Sequence, residues 1–491
     1  MKKEEIFPYQ RLIIVAYRLP FKFIKKKGGV TAFQNSGGLV SAILSLSNKL
    51  PLVDTGGNKS RIVWVGEGHE VPEKALNDMT ISRNFDLKPV HIPENINNKY
   101  YGGFCNDTIW PLFHYFPSIT TYDESYFNAY IQANKLFYEQ IKKVIHPGDF
   151  IWVHDYQLFL VPDLIRRDFP NVTIGFFLHI PFPSYEIFRL LPRTWHNMIL
   201  KGILGADIVG FHTKDYARYF IRSVQQTLGY KRRQNIISVD GRSVKAAAFP
   251  IGIDFDKFHE ACLSPLVKKE KRKMIKQVRN KKLVFSVDRL DYTKGLLNRL
   301  RGIEFFLETN PSWQEKVIFN LVVVPSRDTI DRYKKMKKDI EANVGRINGK
   351  YSNIGWRPII YQYTSLTFNE LVALYDLSDV GLITPLRDGM NLVAKEYIAC
   401  QVENIGVLIL SEMAGASSEL KEALIINPVD YKEMACAIKK ALEMSTAEKE
   451  MRIKKMQSRI RNYDVFKWAN EFFSQANVQQ KQKLLQFTQN V

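Results

Sequence analysis

The sequence predicts an α/β protein made of two doubly wound, parallel-sheet halves. Three observations carry that expectation. Short runs of β-branched and aromatic residues alternate with longer amphipathic stretches along nearly the whole chain. The runs are continuously apolar rather than alternating, as strands covered on both faces are. The chain, 491 residues long with 45% hydrophobic side chains, also has enough apolar material for two large cores. Strand–helix alternation of this kind places helices on both faces of a parallel sheet.

In the first half the strand candidates are residues 12–16 (LIIVA), 62–65 (IVWV), 150–153 (FIWV), 172–178 (VTIGFFL) and 208–211 (IVGF). In the second half they are 283–287 (LVFSV), 317–324 (VIFNLVVV), 380–384 (VGLIT), 407–410 (VLIL) and 423–426 (ALII). The pattern breaks near 246–258 (AAAFPIGIDFDKF), where Pro250 and Gly252 interrupt the apolar run. The expected organisation is therefore a Rossmann-like domain over 1–250 facing a second Rossmann-like domain over 251–464 across a cleft. The Gln- and Lys-rich stretch 465–491 reads as a terminal helix packing back toward the first domain.

Composition excludes several classes. Cys105, Cys262, Cys400 and Cys436 stand far apart with no CxxC pair, so neither a disulfide scaffold nor a structural zinc site is expected, and a reducing cytoplasm fits. No run approaches the ~20 apolar residues that cross a bilayer, and LIIVA, ended by Tyr17 and Arg18, reads as a strand rather than a leader. Lys and Arg exceed Asp and Glu by 70 − 50 = 20, which favours anionic partners. Much of that excess sits in 268–282, where nine of the residues are Lys or Arg and the pattern is that of one solvated helix face. No zinc-finger, helix-turn-helix or RNP pattern accompanies it, so nucleic acid and membrane are not expected partners. A P-loop and a GxGxxG fingerprint are both missing.

Ligands of open parallel sheets gather at the carboxyl ends of the strands. Arg18 follows the first strand, and Gly38 lies in a Ser-Gly-Gly segment opening a helix. His154 and Asp155 follow FIWV, and His179 follows VTIGFFL. The last of the nine histidines is His259, so imidazole chemistry has to come from the first half. The second half supplies cations: Arg289 and Lys294 after LVFSV, and Arg327 after VIFNLVVV. After VGLIT a turn of Asp388, Gly389, Met390 and Asn391 enters a helix with Leu392, Val393, Ala394, Lys395 and Glu396. Guanidinium groups, ammonium groups and the bare N–H groups of a helix start all suit phosphate. Each cation alone is as well explained by a surface ion pair; together at strand ends they favour a phosphate cleft.

The segments WVHDYQL, FFLHIPFPSYEIFR, GADIVGFHT, DRLDYTKGL, GRINGKY and TPLRDGMNLVAKEY resemble the trehalose-6-phosphate synthase family, over about residues 11–473. That resemblance implies a GT-B fold and retaining transfer of glucose from UDP-glucose to glucose 6-phosphate, giving α,α-trehalose 6-phosphate and UDP in trehalose biosynthesis. It implies an acceptor pocket of Arg18, Tyr101, Trp110, Asp155 and Arg327, with Arg18 and Arg327 on the 6-phosphate. It places Gly38, His179, Arg289, Lys294, Asp388–Asn391 and Leu392–Glu396 at the donor, Arg289 and Lys294 on the diphosphate and Glu396 on the ribose.

Cleaving the sugar–phosphate bond builds negative charge on the leaving nucleotide, and fixed cations stabilise it. No strand-end DxD pair is present, so Arg289 and Lys294 are expected to do what a metal does elsewhere, with no metal and no cofactor. Asp155 and His179 are expected to position groups and set the local field, the leaving phosphate taking the acceptor's proton. The chain reads Ala16-Tyr17-Arg18 where the family has SNR, a loop before Gly37 is lengthened by KKKGGVTAFQNS, and WVGEGHEVP is shorter than the family's GW-rich stretch. Acceptor identity is therefore less fixed than donor chemistry. A sister transferase acting on glycerol 3-phosphate or another phosphorylated acceptor stays open, as does a non-catalytic sugar-phosphate sensor. No DxDxT phosphatase half is present, so a separate trehalose-6-phosphate phosphatase is expected downstream; a homo-oligomer is allowed.

Overall fold

The computed structural model describes residues 7, 9–26, 29–34, 38–49, 62–68, 85–326 and 331–489. The chain divides into two compact units, Met1–Ile251 with Val465–Val491, and Gly252–Asp464. Among the described residues no helix is long and apolar enough to cross a membrane.

The first unit is built on a nine-stranded sheet. Its parallel strands are β1 (Leu12–Arg18), β4 (Ile62–Glu67), β5 (Asp86–Val90), β6 (Phe150–His154), β7 (Thr173–Phe177), β8 (Ile208–Phe211) and β11 (Arg242–Ala248). Antiparallel β10 (Ile236–Val239) and β9 (Arg232–Arg233) close one edge, giving the order β5-β4-β1-β6-β7-β8-β11-β10-β9. All five first-half strand candidates lie in this sheet. The extended run after Arg18 differs from the expected loop: β2 (Phe21–Lys26) and β3 (Gly29–Gln34) form a separate antiparallel hairpin. Phe21-Lys22-Phe23 alternates as a strand does, whereas Ile24-Lys25-Lys26 does not, so the sequence mark of this hairpin is weak. Residues 242–248, at the break in the apolar pattern, also form a strand. Their small alanines pair with β8 in parallel register, Ala246 opposite Val209.

The second unit has six parallel strands: β12 (Lys282–Arg289), β13 (Val317–Val324), β14 (Ile359–Tyr363), β15 (Val380–Ile383), β16 (Val407–Ser411) and β17 (Leu424–Ile426). Their spatial order is β14-β13-β12-β15-β16-β17. Counted along each unit, both sheets share the doubly wound order 3-2-1-4-5-6, which reverses between the first and fourth strands. Only β14 lies outside the expected set. Its IIYQY sequence is half-buried at the sheet edge, so it carries no long apolar run.

Several helices start where a side chain accepts orphan backbone N–H groups. Asp123 accepts from Ser125 N at 2.7 Å, and Thr367 and Glu370 close a reciprocal box at helix Phe368–Leu377. Each such cap is worth about 1 kcal/mol. The basic segment forms helix Pro265–Val278, with Lys271 on Asp376 and Lys273 on Glu270; its remaining cations are solvated.

The terminal helix Val465–Gln489 lies against the first unit's sheet. The Phe472 ring stacks on Trp152 (centroids 5.1 Å apart) and meets Phe177 and Phe249 edge-on. Gly175 in β7 makes room for it, since a Cβ there would stand 2.6 Å from the Phe472 ring. Replacing Phe472 with alanine is expected to cost about 3–5 kcal/mol of stability, the range for a large aromatic lost from a packed core. Urea denaturation monitored by Trp fluorescence measures this; an unchanged midpoint would contradict the packing.

Candidate active site

Among its parallel strands each sheet reverses its strand order at one place, and candidate polar residues lie at the strand ends there. In the first unit the reversal falls between β1 and β6. Arg18 ends β1, and its guanidinium donates to the Tyr101 hydroxyl at 3.3 Å. The Tyr101 ring stacks flat on Tyr17, with centroids 4.3 Å apart. Tyr101 sits in a π-helical stretch, Asn98–Ile109, a widened winding that often marks functional segments. Trp110 follows it directly and is nearly buried beside His114 and Tyr156.

Past the end of β6, Asp155 takes a backbone φ of +72°, a left-handed conformation unusual for a residue with a Cβ. Its carboxylate accepts from the His179 backbone N at 3.2 Å, and its own N–H donates to Phe177 O at 2.8 Å. His154 Nδ1 and His179 Nε2 lie 3.1 Å apart, so one ring donates to the other. Burial holds both imidazoles neutral, His179 down to about 3 and His154 well below its ordinary value, with His179 adding to the latter. A neutral His179 can offer a hydrogen bond but is not a strong acid. Gly38 opens helix Gly38–Lys49.

In the second unit the reversal falls between β12 and β15. Arg289 ends β12 and is exposed. The turn Tyr292–Lys294 follows, and Lys294 Nζ reaches Asp388 Oδ2 at 2.5 Å. Asp388 also accepts from Asn391 Nδ2 at 3.1 Å and from Met390 N at 3.4 Å. Asn391, at φ +83°, caps helix Leu392–Cys400 by accepting from Ala394 N at 3.1 Å. The donor-side candidates Lys294, Asp388, Met390 and Asn391 thus form one cluster. Gly389 packs its carbonyl against Gly415, where a Cβ would come within 2.1 Å of that oxygen. Leu392 and Val393 stay partly exposed, whereas Ala394 is buried and Lys395 is paired with Glu419 at 2.6 Å. Glu396 accepts from the buried Tyr375 hydroxyl at 3.1 Å, and burial pushes its carboxyl up to about 7. Arg327 lies outside the described residues, as does WVGEGHEVP beyond residue 68.

Arg299 was not among the sequence candidates. It is fully buried and donates to Asp288 Oδ2 at 2.6 Å, Thr384 Oγ1 at 3.0 Å and Lys294 O at 3.1 Å, and also to Ser286. Its position inside helix Leu296–Thr309, surrounded by apolar residues, was the available signal: an arginine on the core-facing stripe needs a partner. Gly415 gave no signal beyond a small residue before Ala416 and Ser417. Among the described residues no group of three His, Cys, Asp or Glu side chains is placed to hold a metal ion.

Two doubly wound units, each with its charged and polar residues at the reversal of strand order, are the GT-B glycosyltransferase architecture. The sequence model of glycosyltransferase family 20 matches residues 10–478. The chain is 45% identical over 466 residues to a bifunctional trehalose-6-phosphate synthase/phosphatase of Thermoproteus tenax, covering 94% of this chain and 63% of that protein. It is 39% identical over 475 residues to alpha,alpha-trehalose-phosphate synthase (UDP-forming) 1 of Aspergillus fumigatus, covering 95% of this chain and 90% of that one. A crystal structure of an alpha,alpha-trehalose-phosphate synthase (UDP-forming) from Burkholderia xenovorans in complex with glucose-6-phosphate superposes with a TM-score of 0.84 at 33% identity, over 95% of this chain and 100% of that one. The chain belongs to glycosyltransferase family 20.

Two outcomes follow from this geometry. Glu396 titrates near 7 in the fold and near 4.5 unfolded, so the folded state holds the extra proton in between. Its favourable contribution is complete below pH about 4.5 and is lost as pH rises through about 7. The Glu396→Gln variant, compared with wild type by chemical denaturation between pH 5 and 8, should lack that decline; parallel curves would contradict the raised carboxyl. Arg299→Ala leaves Asp288 buried without its cation and is expected to cost about 3–5 kcal/mol, read from the denaturation midpoint.

Proposed function

We propose that this chain transfers glucose from UDP-glucose to glucose 6-phosphate with retention, producing α,α-trehalose 6-phosphate and UDP. The observation that carries this reading is the Lys294–Asp388–Asn391 cluster beside Arg289 at the reversal of strand order, in a chain of family 20. The names of its relatives support it: one is called UDP-forming, and another is solved with glucose-6-phosphate.

In this reading Arg289 and Lys294 hold the diphosphate. Lys294 is paired with Asp388, and the diphosphate competes for its charge. Asp388 and the turn Gly389–Asn391 then take glucose hydroxyls, while the first N–H groups of helix Leu392–Cys400 face the phosphates. Glu396, held by Tyr375, accepts from the ribose. As the sugar–phosphate bond breaks, the fixed cations stabilise charge on the departing UDP without reorganising. The leaving phosphate oxygen takes the proton of the attacking hydroxyl on the same face of the sugar, which preserves the anomeric configuration.

Arg18, steadied over Tyr101, and Arg327 bind the acceptor's 6-phosphate. The nearby Tyr101 raises the affinity of Arg18 for its proton, so the charge is permanent at any physiological pH. Trp110 and Asp155 shape the hexose site, and His179 orients a donor hydroxyl from its neutral ring. The product is a phosphorylated disaccharide, the substrate of a phosphatase; in the Thermoproteus tenax relative both activities share one name.

Arg289→Ala should lower kcat/KM by the equivalent of about 3–4 kcal/mol, the loss of one preorganised charge donor. Turnover should persist in EDTA. A coupled assay for UDP release, run with an acceptor panel, tests both: abolition by chelator with recovery on adding magnesium would defeat the cation mechanism, and preference for glycerol 3-phosphate would replace the acceptor.

A further inference from the structure

The strand β1 carries one residue more than its neighbour can pair. Val15 stands opposite Val65 of β4 and Arg18 opposite Glu67, so three steps along β1 match two along β4. An insertion of this kind is rare between parallel strands, and next to functional sites it re-aims a side chain. Two contacts hold the irregular end in place. Gly66 of β4 lies against the Arg18 backbone, where a Cβ would stand 2.8 Å from the Arg18 carbonyl carbon. The Trp64 indole N–H donates to Arg18 O at 3.1 Å.

The consequence falls on Tyr17. Consecutive residues of a regular strand point to opposite faces of the sheet. Here Tyr17 and Arg18 both reach Tyr101. The Tyr17 ring lies flat on the Tyr101 ring, with centroids 4.3 Å apart and planes inclined by 7°. The Arg18 guanidinium donates to the Tyr101 hydroxyl at 3.3 Å, and its carbon stands 5.7 Å from the ring centre. Tyr17 is itself held at its hydroxyl and at its ring. The hydroxyl donates to Asn97 Oδ1 at 3.0 Å, and the ring meets the fully buried Tyr100 edge-on, with 5.7 Å between centroids. Tyr17 is only 8% exposed, whereas Tyr101 is half-buried and Arg18 is exposed. The three side chains thus run from the core to the surface in the order Tyr17, Tyr101, Arg18.

A long arginine loses rotamer freedom when it grips a ligand, and less is lost when the side chain is already held. A ring clamped against a buried neighbour presents its hydroxyl at one position, and that hydroxyl holds the guanidinium. We propose that Tyr17 is a positioning residue for the acceptor phosphate: through the Tyr101 ring it preorganises Arg18 before the acceptor arrives. The proposal rests on the reading of Arg18 as a phosphate ligand, and on no particular sugar. Acting through Tyr101, Tyr17 bears on acceptor binding and not on bond cleavage.

Steady-state kinetics of the full chain, with glucose 6-phosphate and UDP-glucose varied in turn, test it. Tyr17→Leu removes the stack and should raise KM for glucose 6-phosphate about threefold to tenfold, the worth of one aromatic pair. The same variant should leave kcat and KM for UDP-glucose unchanged. Tyr17→Met, similarly unstacked, gives a second measure of the same loss. Tyr17→Phe keeps the stack, gives up only the bond to Asn97 and should retain the wild-type KM. In a Tyr101→Ala background Tyr17→Leu should have no further effect, since its influence passes through that ring. An unchanged acceptor KM in the unstacked variants, equal rises for both substrates, or an undiminished effect without Tyr101 would overturn the proposal. Arg18→Ala separates it from the reading beneath it. If Arg18→Ala raises the acceptor KM and Tyr17→Leu does not, the proposal alone fails; if Arg18→Ala leaves the KM of every acceptor unchanged, both fail. Should glycerol 3-phosphate prove the preferred acceptor, a rise in its KM in Tyr17→Leu supports the proposal and no rise overturns it.

Discussion

One buried guanidinium sets the geometry of the second unit's site. Arg299 has no contact with solvent, yet its donors go to Asp288 at the end of β12, Thr384 past the end of β15 and the carbonyl of Lys294 in the turn between them. These three segments surround the place where the strand order reverses. An apolar core of the same volume would hold the helix Leu296–Thr309 equally well, since a buried ion pair rarely adds net stability over well-packed hydrophobic residues. What an apolar side chain could not do is fix the relative height of two loops to hydrogen-bond precision. The backbone bonds from Leu386 N and Arg387 N to Thr293 O, at 2.7 and 3.2 Å, complete the tie. Lys294 and Asp388 meet at 2.5 Å because both loops are held from below.

Most of the sheet framework was legible in the sequence because buried parallel strands leave a plain mark: VIFNLVVV and LVFSV can hide their side chains on both faces only inside a sheet. The strands that escaped notice lack that mark. The half-buried edge strand IIYQY reads as ambiguous, and the alanines of 242–248 are too small to stand out beside Pro250 and Gly252. The hairpin after Arg18 is rich in lysine, so its composition imitates a loop.

The site was legible to a different degree. The rule that ligands gather at carboxyl ends of strands selected Arg18, Asp155, His179, Arg289, Lys294 and Asp388 without knowledge of strand order. Which of these stand together depends on that order, and no single-strand feature encodes it. Lys294 and Asp388 are 94 residues apart in the chain and adjacent in the fold. Supporting residues were harder to see, because their signal is a mismatch rather than a motif: Arg299 is a charge on an apolar stripe, and Tyr375 is a hydroxyl in a core that happens to face Glu396. Gly415 is invisible until the backbone of Gly389 is placed against it.

The two units reach a similar solution to one local problem. A chain leaving a buried strand at the reversal of strand order has to turn sharply and still tie a short polar side chain to the neighbouring backbone. In the first unit Asp155 does this at φ +72°, and in the second Asn391 does it at φ +83°. Aspartate and asparagine tolerate the left-handed region better than other residues with a Cβ, because their side chains can bond to nearby backbone. Here Asp155 receives the His179 N–H, and Asn391 receives the Ala394 N–H. Those bonds offset a conformational cost of about 1–3 kcal/mol at each position. Glycine would remove the cost, but also the carboxylate or amide that accepts those backbone N–H groups. The strain is therefore local and compensated, and it falls at the two points where each sheet changes direction.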